Sequence, residues 1–269
     1  MNTLDTTFDR LRREGKTGLI AYLTAGFPDP ETGARNMEIV ARSGVDILEV
    51  GIPFSDPVAD GPVLQKASQH ALQQGMTVHR VFELCDRLGK KTRIPLVLMT
   101  YYNPVYRHGL SSFAKDCSRT GVAGVIVADL TFEESDPLAS ALARHDIPLI
   151  RFVTPFTSDD RMRKIAENAA GFLYFISSAG VTGSRSRLDP ALPAVVSRLR
   201  KITALPVAVG FGISRPAQVR ALAGTADAVI IGSYFVDRIA SAGIRAVEKD
   251  VKKFNNILYT SSSSPKRKR

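Results

Sequence analysis

Cysteine is scarce in this chain, long apolar runs are missing and the histidines are scattered, and each shortage excludes something. Only Cys85 and Cys117 occur. Neither sits in a CxxC pair or beside a histidine, so no disulfide framework, redox pair or thiolate metal site is expected, and both read as reduced thiols buried or half-buried in helices. The longest apolar stretches, such as Phe172 to Ile176, run to about five residues, far below the roughly 18 that a membrane span requires. The first residues, MNTLDTTFDRLRREGK, interleave acids and bases and lack the apolar segment of a signal peptide, so a cytoplasmic protein is expected. The net charge is +10, but four of those charges come from Lys266, Arg267, Lys268 and Arg269. The rest carries no basic, aromatic-interleaved pattern of the kind that binds nucleic acid. The closing SSSSPKRKR reads as a solvated, disordered tail, although PKRKR also has the composition of a polyanion-binding or localisation segment.

What is present is the material of one globular domain. Of the 269 residues 44% are hydrophobic and 23% charged, near the soluble average. Eight short β-rich runs alternate with amphipathic stretches: Leu19 to Thr24, Ile47 to Val50, Pro95 to Met99, Gly124 to Ala128, Pro148 to Val153, Phe172 to Ile176, Pro206 to Gly210 and Ala228 to Gly232. Repeated βα units imply a parallel sheet, and eight is the number that closes a barrel of roughly 250 residues. The expected fold is an α/β (β/α)8 TIM barrel over residues 1–258, with 259–269 as the tail. An open doubly wound sheet uses the same alternation but would not be expected to carry paired glycine turns after its last two strands. Asp29 with Pro30, and Ser214 with Pro216, mark helix starts, while Gly44, Gly89, Gly121 and Gly224 mark helix ends. Ahead of the first strand, TTFDRLRREG reads as an extra N-terminal helix, with Phe8 and Leu11 free to cover the barrel floor.

Barrel enzymes hold their chemistry at the C-terminal ends of the strands. The seventh run leads into GFGIS (Gly210 to Ser214) and the eighth into IGSYF (Ile231 to Phe235), two glycine turns at helix starts. Exposed amides there can bind a phosphate without Lys or Arg; a purely steric role for either glycine alone stays open. In the second run, alternation puts Ile47 and Glu49 on one face. A Glu facing an apolar barrel interior has its pKa raised towards neutrality, as a general acid or base requires; the other reading is a structurally paired Glu. The loop GIPFSDPVADG brings Asp56 and Asp60, which can be turn formers as well as functional acids. SSAGVTGSRSR, Ser177 to Arg187, has the composition of a mobile lid or an ordinary flexible loop. No run ends in a Lys able to form a Schiff base, and His70, His79, His108 and His145 do not cluster as a metal site would need. Any carbon–carbon cleavage must therefore find its electron sink in the substrate. A sugar-phosphate isomerase would also use the phosphate turns, without needing the lid or the acidic loop.

The segment LEVGIPFSDPVADGP, Leu48 to Pro62, resembles the signature of the tryptophan synthase α-subunit family. AYLTAGFPDP, YYNPVYRHG, VADL, YFISSAGVTGSR, GFGIS and IGS follow in that family's order, and the resemblance covers residues 3–250. It implies a lyase that splits indole-3-glycerol phosphate into indole and glyceraldehyde 3-phosphate, with Glu49 shuttling protons and Asp60 binding the indole N–H. It further implies that Tyr174 orients Glu49 and that Thr182 bonds Asp60 on lid closure. Tyr22 and Phe211 would flank the indole, while Gly183, Gly212, Gly232 and Ser233 would bind phosphate. Finally it implies a pyridoxal-phosphate β subunit as partner in an αββα complex, met through Pro53, Asp56, Pro57 and Asn103, with no cofactor or metal on this chain. Phe27 and Tyr22 depart from the residues common in the family, where Asp and Phe are usual.

Overall fold

The computed structural model describes residues 3–176, 192–210 and 212–260. In chain order the elements are α1 (Thr3–Glu14), β1 (Gly18–Thr24), α2 (Pro30–Arg42), β2 (Ile47–Gly51), α3 (Pro62–Gln73), α4 (Val78–Lys91), β3 (Leu96–Thr100), α5 (Tyr102–His108), α6 (Leu110–Arg119), β4 (Val122–Val127), α7 (Asp136–Ala143), β5 (Arg151–Val153), α8 (Asp159–Glu167), β6 (Leu173–Ile176), α9 (Leu192–Ile202), β7 (Val207–Gly210), α10 (Pro216–Leu222), β8 (Ala228–Ile231), α11 (Ser233–Ala242) and α12 (Ile244–Thr260). All strand pairs are parallel, in the order β4-β3-β2-β1-β8-β7-β6-β5. The fold is thus the eight-stranded TIM barrel that the alternation implied, with helices outside and one apolar core.

The barrel closes unevenly. Where β4 meets β5 the ladder shrinks to a single bridge between Val125 and Leu149, made by Val125 N–H donating to the Pro148 carbonyl (3.0 Å) and Ile150 N–H to the Val125 carbonyl (2.8 Å). Beyond it the two strands splay. Regular β5 spans only Arg151–Val153, the three residues that pair with β6, whereas its apolar run begins at Pro148 and meets β4 only at the single bridge.

Helix α1 is the floor plug, and it starts three residues earlier than its sequence pattern suggested. Leu4, Phe8 and Leu11, one helical face at i, i+4 and i+7, are all buried. The Phe8 ring meets Phe172 at 5.6 Å between centroids, and an added methyl on Gly124 would crowd Leu4 at 3.0 Å. Arg10 of the same helix pairs with buried Asp46, whose other oxygen accepts the Leu19 N–H at 2.9 Å.

Helix ends mostly follow their expected signals. The Asp29 side chain caps α2 by accepting Thr32 N–H at 2.9 Å. Gly44, Gly121 and Gly224 take positive φ just past α2, α6 and α10. Gly89 does not: α4 runs through it to Lys91, because Leu84, Cys85 and Leu88 keep burying the helix's inner face, and Thr92 ends it. Helix α10 is capped by Arg215 rather than Ser214. Both cysteines are buried, within α4 and α6. Tyr259, expected in the tail, belongs to α12, and its ring carries the Lys16 ammonium 4.4 Å from its centroid. Among the described residues no helix is long and apolar enough to cross a membrane.

Candidate active site

Register builds the site. In neighbouring parallel strands, paired residues point to the same face, and Tyr22 of β1 pairs with Glu49 of β2, while Phe152 of β5 pairs with Tyr174 of β6. Tyr22, Glu49 and Tyr174 all line one narrow cleft, joined by Leu64, Met99, Ile213 and Ile230 as apolar walls and by Gly212, Gly232 and Ser233 at its other end. Six of the residues singled out in the sequence therefore meet in one place. Thr182, Gly183 and Phe211 lie outside the described residues, as do the Ser177 to Arg187 segment and residues 261–269.

Glu49 is buried, at 1% exposure, and neither carboxylate oxygen has a hydrogen-bond partner among the described residues. Desolvation alone pushes its pKa up to about 8. Among the described residues no cation reaches Glu49, so the structural-pairing reading finds no partner there. Asp60 is buried too, with Oδ1 unpartnered. Burial raises its pKa to about 6, and a hydrogen bond from the Tyr101 hydroxyl acts the other way, favouring the ionised form. Asp60 does not line the cleft wall, yet its charge and that of Glu49 are both felt at Tyr22 and Tyr174, which places the two acids around one pair of phenols. Two carboxyls whose surroundings set their pKa values apart form the usual signature of an acid and a base with separate tasks.

The phenols lean on glycines. A side chain at Gly51 would overlap the Tyr22 hydroxyl and one at Gly210 the Tyr174 hydroxyl, so only glycine lets either ring lie across its neighbouring strand. Tyr22 Oη also lies 3.3 Å from Thr24 Oγ1. Tyr174 was expected to orient Glu49, but the Glu49 oxygens accept no hydrogen bond within the described residues, so any influence of Tyr174 is exerted through space.

Sequence reasoning missed Tyr101 and Gln218. The Tyr101 hydroxyl accepts Ala59 N–H at 3.2 Å while serving Asp60. Its place is fixed by the VADL segment, since Asp129 Oδ1 accepts the Tyr102 amide at 2.7 Å and so anchors the start of α5. Gln218 Oε1 accepts the Ser214 and Arg215 amides at 3.0 and 2.9 Å, and its Nε2 reaches the Gly212 carbonyl at 3.4 Å. The amides at the start of α10 were expected to face a phosphate; those of Ser214 and Arg215 are already used, and Gly212, at φ +76°, and Ile213 are the described residues of this turn that border the cleft. Helix α11 has no side-chain cap after Gly232, so its first turn keeps its N-terminal donors for a ligand. A Gln three residues after the cap was the readable sign of Gln218; nothing in the sequence tied Tyr101 to Asp60.

The residues proposed from sequence to meet a partner are divided. Asp56 and Asn103 are exposed and Pro57 is half-buried. Pro53 is buried by its own chain, which leaves it to stiffen the loop beneath any contact rather than to make one.

Paired buried carboxyls beside an uncapped helix start, at the C-terminal ends of barrel strands, define an acid–base barrel enzyme with an anion-binding turn. The family model for the tryptophan synthase alpha chain matches residues 8–263. The tryptophan synthase alpha chain of Phenylobacterium zucineum (strain HLK1) is 44% identical over 241 residues, covering 89% of this chain and 87% of that protein. The crystal structure of tryptophan synthase subunit alpha from Legionella pneumophila str. Paris superposes with a TM-score of 0.89 at 33% identity, covering 97% of this chain and 99% of that one. A chain of Mycobacterium tuberculosis tryptophan synthase gives a TM-score of 0.88 at 33% identity, over 95% of this chain and 98% of its own. The chain belongs to the tryptophan synthase alpha chain family.

Proposed function

We propose that Glu49 and Asp60 together carry out the lyase reaction of this family, the retro-aldol cleavage of indole-3-glycerol phosphate to indole and glyceraldehyde 3-phosphate, which feeds indole to a β subunit in L-tryptophan biosynthesis. The observation that carries it is Glu49, fully buried with both oxygens unpartnered in the cleft that Gly212, Gly232 and Ser233 also line.

A carboxyl with a pKa near 8 holds its proton at neutral pH and can give it to C3 of the indole ring. That step places positive charge on the ring, which becomes the electron sink. The resulting Glu49 carboxylate then takes the proton of the glycerol hydroxyl next to the ring, the carbon–carbon bond breaks into the ring, and the aldehyde leaves. Asp60, ionised above about pH 6, accepts a hydrogen bond from the indole N–H and stabilises the positive charge as it develops. Tyr22 and Phe211 flank the ring, Tyr174 sits beside Glu49, and Thr182 bonds Asp60 when the lid closes. The phosphate is held by amides of Gly183 and Gly212 and by those of Gly232 and Ser233 at the uncapped start of α11. On this reading the partner is a β subunit in an αββα complex, approached through Asp56, Pro57 and Asn103; pyridoxal phosphate belongs to that subunit, and this chain's step uses none. The enzyme works in the cytoplasm.

The test is Asp60→Asn assayed for indole release from indole-3-glycerol phosphate. Loss of about 3 kcal/mol of transition-state stabilisation, on the order of 100-fold or more in kcat, is expected, since the amide carries no charge to offset the cationic ring. Binding of inorganic phosphate is expected to survive. Turnover like that of the wild type would overturn the assignment.

A further inference from the structure

Where β4 and β5 part, a second cleft of about 540 Å³ opens at the C-terminal ends of β4, β5 and β6. Its walls include Leu130, Phe132, Phe152, Phe156 and Ile176. Among them stands Arg151, only 6% exposed. Its guanidinium carbon lies 5.4 Å from the centre of the Phe132 ring, its Nε is buried without a partner, and none of the described carboxylates comes within ion-pair distance. Asp136 acts on it only through space. Burial pulls the Arg151 pKa down, the direction expected of a cation without a counterion. A guanidinium does not shed its proton at ordinary pH, so its charge is not removed that way. An unpaired buried charge is destabilising unless a counter-charge meets it.

We propose that this seam is a second ligand site, in which Arg151 anchors a small monocarboxylate whose apolar body lies between Phe132, Phe152 and Phe156. The planar guanidinium fork matches a carboxylate. Two features select a single negative charge over a phosphate dianion. The other cation on the wall, Arg161, is already held by Glu133 through both carboxylate oxygens, and that same Glu133 repels a second charge. Two wall hydroxyls are also engaged, since Thr154 Oγ1 and Thr157 Oγ1 lie 3.1 Å apart. The Phe152 ring, 5.1 Å from that of Tyr174, joins the site to the catalytic cleft.

Benzoate is the probe, with benzyl alcohol as its neutral counterpart, titrated by calorimetry into the full chain. Saturable benzoate binding is expected, at least tenfold weaker for benzyl alcohol and at least tenfold weaker in Arg151→Met, which keeps the apolar stem. Saturating inorganic phosphate is expected to leave it unchanged, which separates this site from the phosphate turns at Gly212 and Gly232. Equal benzoate affinity in wild type and Arg151→Met, displacement by phosphate, or no binding by the wild type would each overturn the proposal. Should Arg151→Met fail to fold, Phe156→Glu decides on the same terms, because Phe156 is 79% exposed and a rim carboxylate there is expected to weaken benzoate binding several-fold.

Discussion

At the scale of single residues, two carboxyls with raised pKa values predict how activity and stability follow pH. Productive protonation requires Asp60 ionised and Glu49 protonated, so kcat/KM for indole release is expected to be bell-shaped, with limbs near pH 6 and pH 8. Tyr101→Phe removes the hydrogen bond that favours ionised Asp60. The acidic limb should then move to higher pH while the alkaline limb stays; an unmoved acidic limb would separate Tyr101 from Asp60. For stability the sign runs against the enzyme. Glu49 keeps its proton in the folded state from pH 4.5, its ordinary value, up to about 8, while the unfolded chain has lost it, so folding weakens as pH rises through that window. Glu49→Gln should therefore unfold at higher urea concentration than wild type at pH 8, by a few kcal/mol at most, and at about the same concentration at pH 4. These groups were legible in part. Period-two alternation along β2 put Glu49 on one face with Ile47, but which face is the inner one was settled only by the cleft that Glu49 shares with Tyr22. Tyr101 was not legible, since its tie to Asp60 spans two separate loops and depends on how α5 is anchored.

Elements matter here mainly through how they begin. Helices α10 and α11 both follow barrel strands, yet one start is internally bonded and the other open. Sequence composition made them look alike, because glycine turns announce available amides but not which of them a side chain will claim. Gln218 spends its carbonyl on the Ser214 and Arg215 amides and its amide on the Gly212 carbonyl, so it holds the turn in shape rather than binding anything. Gln218→Leu takes the partner from two part-buried amides and frees Gly212, and losing about 1 kcal/mol of ordering should weaken inorganic phosphate binding several-fold, up to about tenfold. The pH limbs of kcat/KM should not move. Unchanged phosphate affinity would mean that α11 alone holds the anion. A different failure of legibility occurs at Gly89, where a glycine resembling a helix end is overruled by apolar spacing that continues to Leu88 and by two lysines that suit a last turn.

For the whole molecule, floor and roof are separate concerns. Leu4, Phe8 and Leu11 seal the N-terminal ends of the strands, far along the barrel axis from the cleft, so damage there should register as stability and not as chemistry. Phe8→Ala is expected to cost about 3 kcal/mol, measured by urea unfolding, with kcat unchanged well below the transition; a fall in kcat of tenfold or more under those conditions would show that the floor shapes the active site. The eight-fold βα count gave the architecture away, and so did the apolar face of the first helix. The uneven seam did not show, because Pro148 to Val153 is as apolar and β-prone as any other run. What shortens β5 is geometry at a distance, since β6 meets it only from Arg151 onwards and β4 only at the one bridge of Val125. That sparse pairing has a mechanical consequence. Seven of the eight strand boundaries carry two or more paired residues and one is held by a pair of amides, so the wall resembles a hoop with a clasp. Thermal breathing would concentrate at the clasp, next to the one buried guanidinium among the described residues that no acid neutralises.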